Sequence, residues 1–317
     1  MNKKNYLIVG HTGFIGQKLL KKLNKNLDKN NIYLISKKIN SNKKRMNKEF
    51  EYDVFSNLGW FKFLKNNMTI FFLAFNNNLY ELEKDQKYYS KIMNFCFHFN
   101  EYLIRKNLKV NFIFTSTATI YGITNSNQKV NEKFPDKPIS VYDKSKLIFE
   151  RVFKHYSYGN NLNFVSLRIS NIYGYFSYQR QKNRGFLNKI IIRSINGEVI
   201  NIVGKGSTYR SYLYIDDLIN ALIIASKKVD QLNSKTFLLC GKKSHTFNEI
   251  IKVISNIIKK KIKINKINYP KLMHKIEKRS FKGSYNNFKK ITGWMPKIDI
   301  DYGIDKIIKE IEKEIKK

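Results

Sequence analysis

Cysteine is nearly absent. The chain of 317 residues carries 2, Cys96 and Cys240, far apart in apolar runs. This excludes a disulfide framework, and both are expected to be buried thiols of a reducing compartment. No Cys/His cluster has ligand spacing, so no metal is expected. Proline-rich or glycine-rich linkers and internal repeats are missing as well. No apolar run reaches the roughly eighteen residues of a membrane span. The opening stretch MNKKNYLIVGHTGFIG is too short, and too interrupted by Gly10, His11 and Gly13, for a secretory leader. A cytoplasmic location is therefore expected.

Acidic residues are also scarce: 24 against 60 basic ones, for a net charge of +36. Such a charge raises the idea of a nucleic-acid partner. The excess is mostly Lys, spread along the whole chain and not gathered in one arm. Asn and Ile are abundant while Ala and Arg are rare. Lys, Asn and Ile share A/T-rich codons, so compositional drift accounts for the bias. A nucleic-acid partner is not expected, although the charge favours an anionic ligand. With 42% hydrophobic and 14% aromatic residues, the chain can build one large α/β domain, or such a domain with a smaller lobe.

Short apolar runs alternate with helical patterns. Strands are expected at 5–10, 31–36, 51–53, 68–75 and 163–170, and over 110–122 a strand that enters a loop. Helices are expected after Gly16, over 80–106 and over 142–156. The alternation predicts a parallel sheet with right-handed crossovers, and the near-continuous apolar runs fit strands buried on both faces. Beyond 170 the pattern loosens, with helices at 185–195, 216–228, 245–260 and 301–317 and a strand at 237–240. Thr246 with Glu249 forms a capping-box pattern. The fold class is α/β: a Rossmann-like, doubly wound parallel sheet with a smaller C-terminal α/β substrate lobe. Residues 1–170 form the dinucleotide-binding part, with 208–235 returning to it. Residues 171–207 and 236–317 form the lobe, laid across the sheet edge where open α/β folds bind ligands.

The turn GHTGFIG (10–16) follows a strand and opens a helix. Gly10, Gly13 and Gly16 suit a tight turn, close approach of backbone N–H groups to a pyrophosphate, and close strand–helix packing. The second strand ends in Ser36, Lys37 and Lys38, with Arg45 further on, instead of an acidic residue. Hydroxyl and cationic groups suit a 2′-phosphate, so NADP is favoured over NAD. Asp53 can accept from an adenine amino group.

Tyr142 and Lys146, in VYDKSK (141–146), lie one helical turn apart and share a face. An unperturbed tyrosine has a pKa of about 10, too high for a base at neutral pH. A neighbouring ammonium and a cationic nicotinamide are expected to lower it. The strand before this helix delivers Thr115, Ser116 and Thr117 to the same sheet edge.

With these pieces placed, the chain resembles the extended short-chain dehydrogenases/reductases, and within them the nucleotide-sugar epimerase/dehydratase family. The resemblance runs in family order through GHTGFIG (10–16), FFLAF (71–75), FTSTATIYG (114–122), YDKSK (142–146), LRISNIYG (167–174), GKGSTYRSYLYIDDLINAL (204–222) and NNFKKITGWMP (286–296). It implies a catalytic set of Thr117, Tyr142 and Lys146, with Ser116 as the second candidate for the hydroxyl. It implies a cofactor site that also takes in Thr12, Phe14, Ile15, Val54, Leu73 and Ala74. On the substrate side it implies Asn171, Arg210 as a diphosphate grip, and Arg279 as a weaker second one. Asp216 and Asp217 are expected to cap a helix. Two departures stand out: Tyr175 replaces a proline and Ser284 an aspartate. Dehydratases of the family carry an Asp-Glu pair, and decarboxylases a Glu, where this chain has Ala118 and Thr119. What remains is alcohol–ketone chemistry on a nucleotide-diphosphate sugar, as a C4 epimerase or as an NADPH-dependent ketoreductase. A non-catalytic RNA-binding or redox-sensing member of the fold is the reading from another class. The helix over 88–104 is apolar on more than one face and is expected to pack on a second subunit, with His98 as a satisfied core residue.

Overall fold

The computed structural model describes residues 4–25, 28–38, 48–76, 79–85, 87–124, 128–159, 161–176, 185–268 and 279–315. Seven strands form one parallel sheet: β1 (Tyr6–Val9), β2 (Ile32–Ser36), β3 (Lys48–Glu51), β4 (Met68–Phe72), β5 (Val110–Thr117), β7 (Leu162–Ile169) and β11 (Lys235–Leu239). Their order is β11-β7-β5-β4-β1-β2-β3. β1, β2, β4, β5 and β7 are buried almost throughout, because helices cover both faces. The exception is β3 at the edge, where charged Lys48 and Glu51 are exposed. It begins before the stretch expected at 51–53. Over 110–122, expected as a strand entering a loop, the strand ends at Thr117 and residues 118–121 turn into a 3₁₀-helix.

Two cores hold the sheet. On one face lie helices α3 (Tyr88–Arg105) and α4 (Val141–Tyr156). This core is rich in phenylalanine: Phe149 and Phe153, one turn apart on α4, stack at 4.3 Å, and Phe95 lies 5.4 Å from Phe72. A fully buried phenylalanine stabilises by about 2–3 kcal/mol, so this cluster anchors α4 firmly. The other face is built from Ile and Leu of α1 (Phe14–Leu23) and of the helices Ile215–Lys227 and Ile300–Ile315.

A buried ion cluster pins α4 to β7. Arg168 meets Glu150 at 2.7 Å and Asp136 at 2.6 Å, and Ser166 donates to Glu150 at 2.9 Å.

Several expectations need correction. The helix over 80–106 is two helices, α2 (Leu79–Lys84) and α3, separated where Asp85 accepts from the Lys87 N–H. His98 is not a core residue. Ile92, Phe95, Phe99 and Leu103 face inward, which turns His98 outward, where it meets Glu101 at 3.1 Å. Asp216 and Asp217 do not cap the helix Ile215–Lys227. Its N-cap is Tyr214; Asp216 pairs with Lys306 at 3.0 Å and Asp217 accepts from the Ile298 N–H at 2.9 Å. The capping box of Thr246 and Glu249 is present.

The remaining strands are β6 (Lys129–Val130), β8 (Asn171–Tyr173), β9 (Ile200–Val203), β10 (Tyr209–Tyr214), β12 (Ser244–Thr246), β13 (Ile264–Ile267) and β14 (Lys282–Gly283). They pair as β12-β10-β8, β13-β9 and β14-β6. β11 runs across position 235/236, where the expected lobe boundary fell, and pairs with β7 inside the main sheet. Among the described residues, no helix is long and apolar enough to cross a membrane.

Candidate active site

The strand order reverses between β1 and β4, so the chain leaves these two strands in opposite directions and opens a crevice at their C-terminal ends. The glycine turn fills the bottom of this crevice. Gly10 has φ +93°, and a Cβ there would sit 3.0 Å from Ala74 N. A side chain on Gly16 would come within 2.4 Å of Gly10 O. α1 starts at Gly13 with no side-chain cap and no acidic residue in its first turn. Its first N–H groups and positive dipole end therefore face the crevice.

A single cleft of about 1380 Å³ connects this turn with the other expected groups. Gly10, Thr12, Gly13, Phe14, Ile15 and Gly16 line it, as do Ser36, Lys37, Asp53, Val54, Leu73 and Ala74. The cradle thus fits a dinucleotide pyrophosphate. A bound nicotinamide dinucleotide would supply a hydride acceptor or donor there.

At the end of β2 the side chains are already engaged. Ser36 Oγ lies 3.0 Å from His11 Nδ1 and accepts from the Thr12 N–H at 3.3 Å and the Thr12 hydroxyl at 3.1 Å. His11 Nε2 in turn meets Glu49 at 2.5 Å. The Ser36 hydroxyl, expected to bind a 2′-phosphate, is saturated within the chain. Lys37 pairs with Asp53 at 2.9 Å, which raises the ammonium's pKa. Burial pushes the Asp53 carboxyl up, but Lys37 and the N–H groups of Phe55 and Ser56 hold it below the usual range. Lys38 is exposed, and Arg45 lies outside the described residues.

At the opposite wall, Ser140 caps α4 in a reciprocal box with Asp143, and this positions the first turn that carries Tyr142. Tyr142 is half-buried along the cleft. Burial and then the Asp143 charge raise its pKa. Lys146 Nζ stands 5.6 Å from the centre of the Tyr142 ring. It donates to Thr115 O at 2.5 Å and stands over the rings of Phe75 (4.0 Å) and Phe114 (4.7 Å). Burial lowers Lys146 to about 7.

Ser116 and Thr117 both line the cleft. Thr117 Oγ1 contacts Thr119 Oγ1 at 2.8 Å, and Thr119 donates to Asp143 at 2.5 Å. Ser116 Oγ is buried without a hydrogen-bond partner among the described residues.

On the substrate side, Asn171 opens β8 at the cleft and Arg210 lines it from β10, where its Nη1 donates to Tyr209 O at 3.1 Å. Arg279 lines the cleft too, but its Nη2 donates to Asp143, and its Nε is buried without a hydrogen-bond partner among the described residues. Tyr175, in place of the family proline, donates to Glu314 on the C-terminal helix.

A profile of the NAD dependent epimerase/dehydratase family matches residues 6–241. The chain belongs to that family. It is 27% identical over 334 residues to the Escherichia coli dTDP-4-dehydro-6-deoxyglucose reductase, covering 98% of each chain. Other curated relatives are longer, and the chain spans only 61%, 51% and 50% of three of them. The Thermotoga maritima UDP-glucose 4-epimerase with UDP-glucose has the same fold, at TM-score 0.83 and 22% identity over 98% of this chain and 99% of that one. RMD from Pseudomonas aeruginosa, complexed with NADPH, shares it at TM-score 0.77 and 16% identity, with the same coverage. Solved structures of this fold hold NAD in some cases and NADPH in others.

Against the family pattern, the roles of four residues, Asp143, Thr119, His11 and Glu49, escaped notice in the sequence. Asp143 was legible as the fourth residue of Ser-x-x-Asp ahead of a helix, a capping signature. Thr119 and the His11–Glu49 pair had no local signal, because their partners lie on other elements.

Proposed function

We propose that the chain interconverts an alcohol and a ketone on a nucleotide-diphosphate sugar, with NADP or NAD as hydride partner, and that it does so as an epimerase at C4. The observation that carries this is the convergence of the glycine cradle, the β5 hydroxyls and the Tyr142/Lys146 pair on one cleft. Tyr142 is the group that takes the sugar hydroxyl's proton or returns it. Lys146, at about 7, can change charge near neutrality beside it. Arg210 offers a planar fork for a diphosphate, and Asn171 a hydrogen bond to the sugar. Elimination of water is disfavoured: Ala118 and Thr119 carry no carboxylate, and Asp143 already serves the α4 cap, Thr119 and Arg279.

A second reading is an NADPH-dependent reductase of a 4-keto sugar. Two observations favour it. The raised pKa of Tyr142 keeps the phenol protonated, which suits a proton donor. The E. coli reductase also matches this chain over its whole length. The lysines after β2 lean toward NADP, with Lys38 the one whose side chain is not already paired with Asp53.

Releasing the cofactor by denaturing the purified protein separates the two. Tightly held NAD together with conversion of UDP-glucose to its C4 epimer supports the first reading. A protein that takes up NADPH and reduces a 4-keto sugar nucleotide supports the second. No hydride transfer with either substrate class rules out both.

The active form is inferred to be a homodimer. Met93, Phe97 and Ile104 are exposed on α3 at spacings that share one stripe, away from the side packed on the sheet. A monomer by light scattering at micromolar concentration contradicts this.

A further inference from the structure

We propose that the buried Asp143–Arg279 pair positions Tyr142 and sets the charge beside its phenol, tying the helix turn that carries it to the segment leading into β14. Asp143 and Arg279 are positioning residues. The inference rests on the alcohol–ketone reading above.

The pair is held from two sides. Asp143 follows Tyr142 directly, on the first turn of α4, and its side chain is 1% exposed. Its Oδ2 accepts from the Ser140 N–H at 3.1 Å and the Ile139 N–H at 3.3 Å, and Oδ1 from the Thr119 hydroxyl at 2.5 Å. A carboxylate in a salt bridge only accepts, and Arg279 Nη2 completes the set on Oδ2. The chain after Arg279 is fastened in turn. The Ser280 hydroxyl accepts from the Tyr209 N–H at 3.2 Å, the Phe281 N–H donates to Tyr209 O at 2.9 Å, and the Thr124 hydroxyl donates to Ser280 O. Lys282 and Gly283 then pair with Lys129 and Val130. Tyr209 O also accepts from Arg210 Nη1 at 3.1 Å. A short set of bonds thus runs from the expected diphosphate grip to the turn that carries Tyr142.

Five groups surround the phenol electrostatically. Asp143 and Lys146 come from its own helix, with Lys146 Nζ 5.6 Å from the ring centre. Tyr88 comes from α3. Glu83 of α2 accepts from the N–H of Val141, the residue before Tyr142, at 3.2 Å. Arg279 acts through Asp143. After burial, Asp143 does most to oppose ionisation of the phenol. A guanidinium on that carboxylate offsets part of the opposition. In the oxidative direction the C–H bond breaks and its electron pair leaves as hydride to the oxidised nicotinamide. The O–H bond breaks toward the ionised Tyr142 oxygen, which takes the proton, and the C=O bond forms. Reduction of a ketone runs the same steps backwards. Both directions depend on how readily the phenol gives up its proton, so the pair bears on either reaction.

The test is the pH profile of kcat, with KM at each pH, for the full-length chain and its variants on the nucleotide sugar that the wild type turns over. The limb that Tyr142→Phe abolishes reports the phenol. Asp143→Asn should move that limb toward acid by about one pH unit, because the phenol then faces Arg279 without its counterion. Arg279→Met should move it toward alkali by less, since Arg279 lies behind the carboxylate. The double variant should return toward wild type. Asp143→Glu keeps the charge and should keep the limb in place while kcat falls, because the longer side chain displaces the cap. KM should stay within a few-fold throughout. A pair with a purely structural role lowers kcat evenly at every pH, and a limb that stays put or moves toward alkali in Asp143→Asn overturns the proposal. If Arg279→Met does not fold, Asp143→Asn against Asp143→Glu carries the decision. If the wild type moves no hydride at all, the alcohol–ketone reading falls first and this one with it. If the wild type is active and the limb does not move in Asp143→Asn, this one alone falls.

Discussion

The two ends of the cleft each hold an ion pair, and the pairs differ in kind. Asp143 and Arg279, beside the reacting edge, have side chains only 1% and 10% exposed. Lys37 and Asp53, at the end of β2, are 75% and 38% exposed. Breaking a buried pair leaves a charge without water or partner, whereas a surface pair is screened and exchanges readily. The reacting edge is therefore a fixed network with dictated hydrogen positions. The β2 end is an adjustable surface, where cofactor preference rests on side chains free to move.

The largest break falls on the fixed end. Tyr142→Phe should lower turnover by about 10³-fold or more, the range lost with a positioned general acid–base, while dinucleotide binding followed by fluorescence stays within a few-fold.

Next comes the buried pair itself. Arg279→Met should destabilise by about 3–5 kcal/mol in urea unfolding, because Asp143 is left buried and uncompensated. Asp143→Asn with Arg279→Met together should recover part of that loss.

Lys146 sharpens the contrast through pH. Burial holds it at about 7 in the folded chain, against 10.5 for an ordinary lysine. Between those values the unfolded chain binds more protons. Stability should rise with pH across that window, by at most about 1.4 kcal/mol per unit. Lys146→Met should flatten the slope relative to wild type, read as unfolding free energy at both ends of the window.

The smallest effects belong to the exposed end. Lys37→Met should change stability by less than about 1 kcal/mol. Lys37→Met with Lys38→Met should weaken NADP binding several-fold and leave NAD binding nearly unchanged, checked by titration of each dinucleotide.

The same contrast explains what could be read before the fold was known. Buried strands such as YLIV and MTIFF announce themselves by continuous apolar runs. The glycine turn and the Tyr142–Lys146 spacing are local, so they were legible too. Phase errors came where burial is one-sided: His98 lies on α3 amid aromatic neighbours but on its outer face. Hydrogen-bond polarity was not legible, because it depends on pairs far apart in sequence, such as Asp143 with Arg279 or Thr119 with Asp143. Nor was the direction of the Tyr142 shift. It depends on burial of the phenol and on the Asp143 charge beside it, facts of packing across the sheet edge.

The most direct test of the whole account follows the absorbance of the reduced nicotinamide. Wild type and Tyr142→Phe are mixed with a nucleotide sugar carrying deuterium at C4 and oxidised dinucleotide, or with a 4-keto sugar nucleotide and deuterated NADPH. A wild-type signal slowed by the deuterium, and nearly abolished in Tyr142→Phe, is the expected result. A Tyr142→Phe protein that moves hydride as fast as wild type contradicts the account.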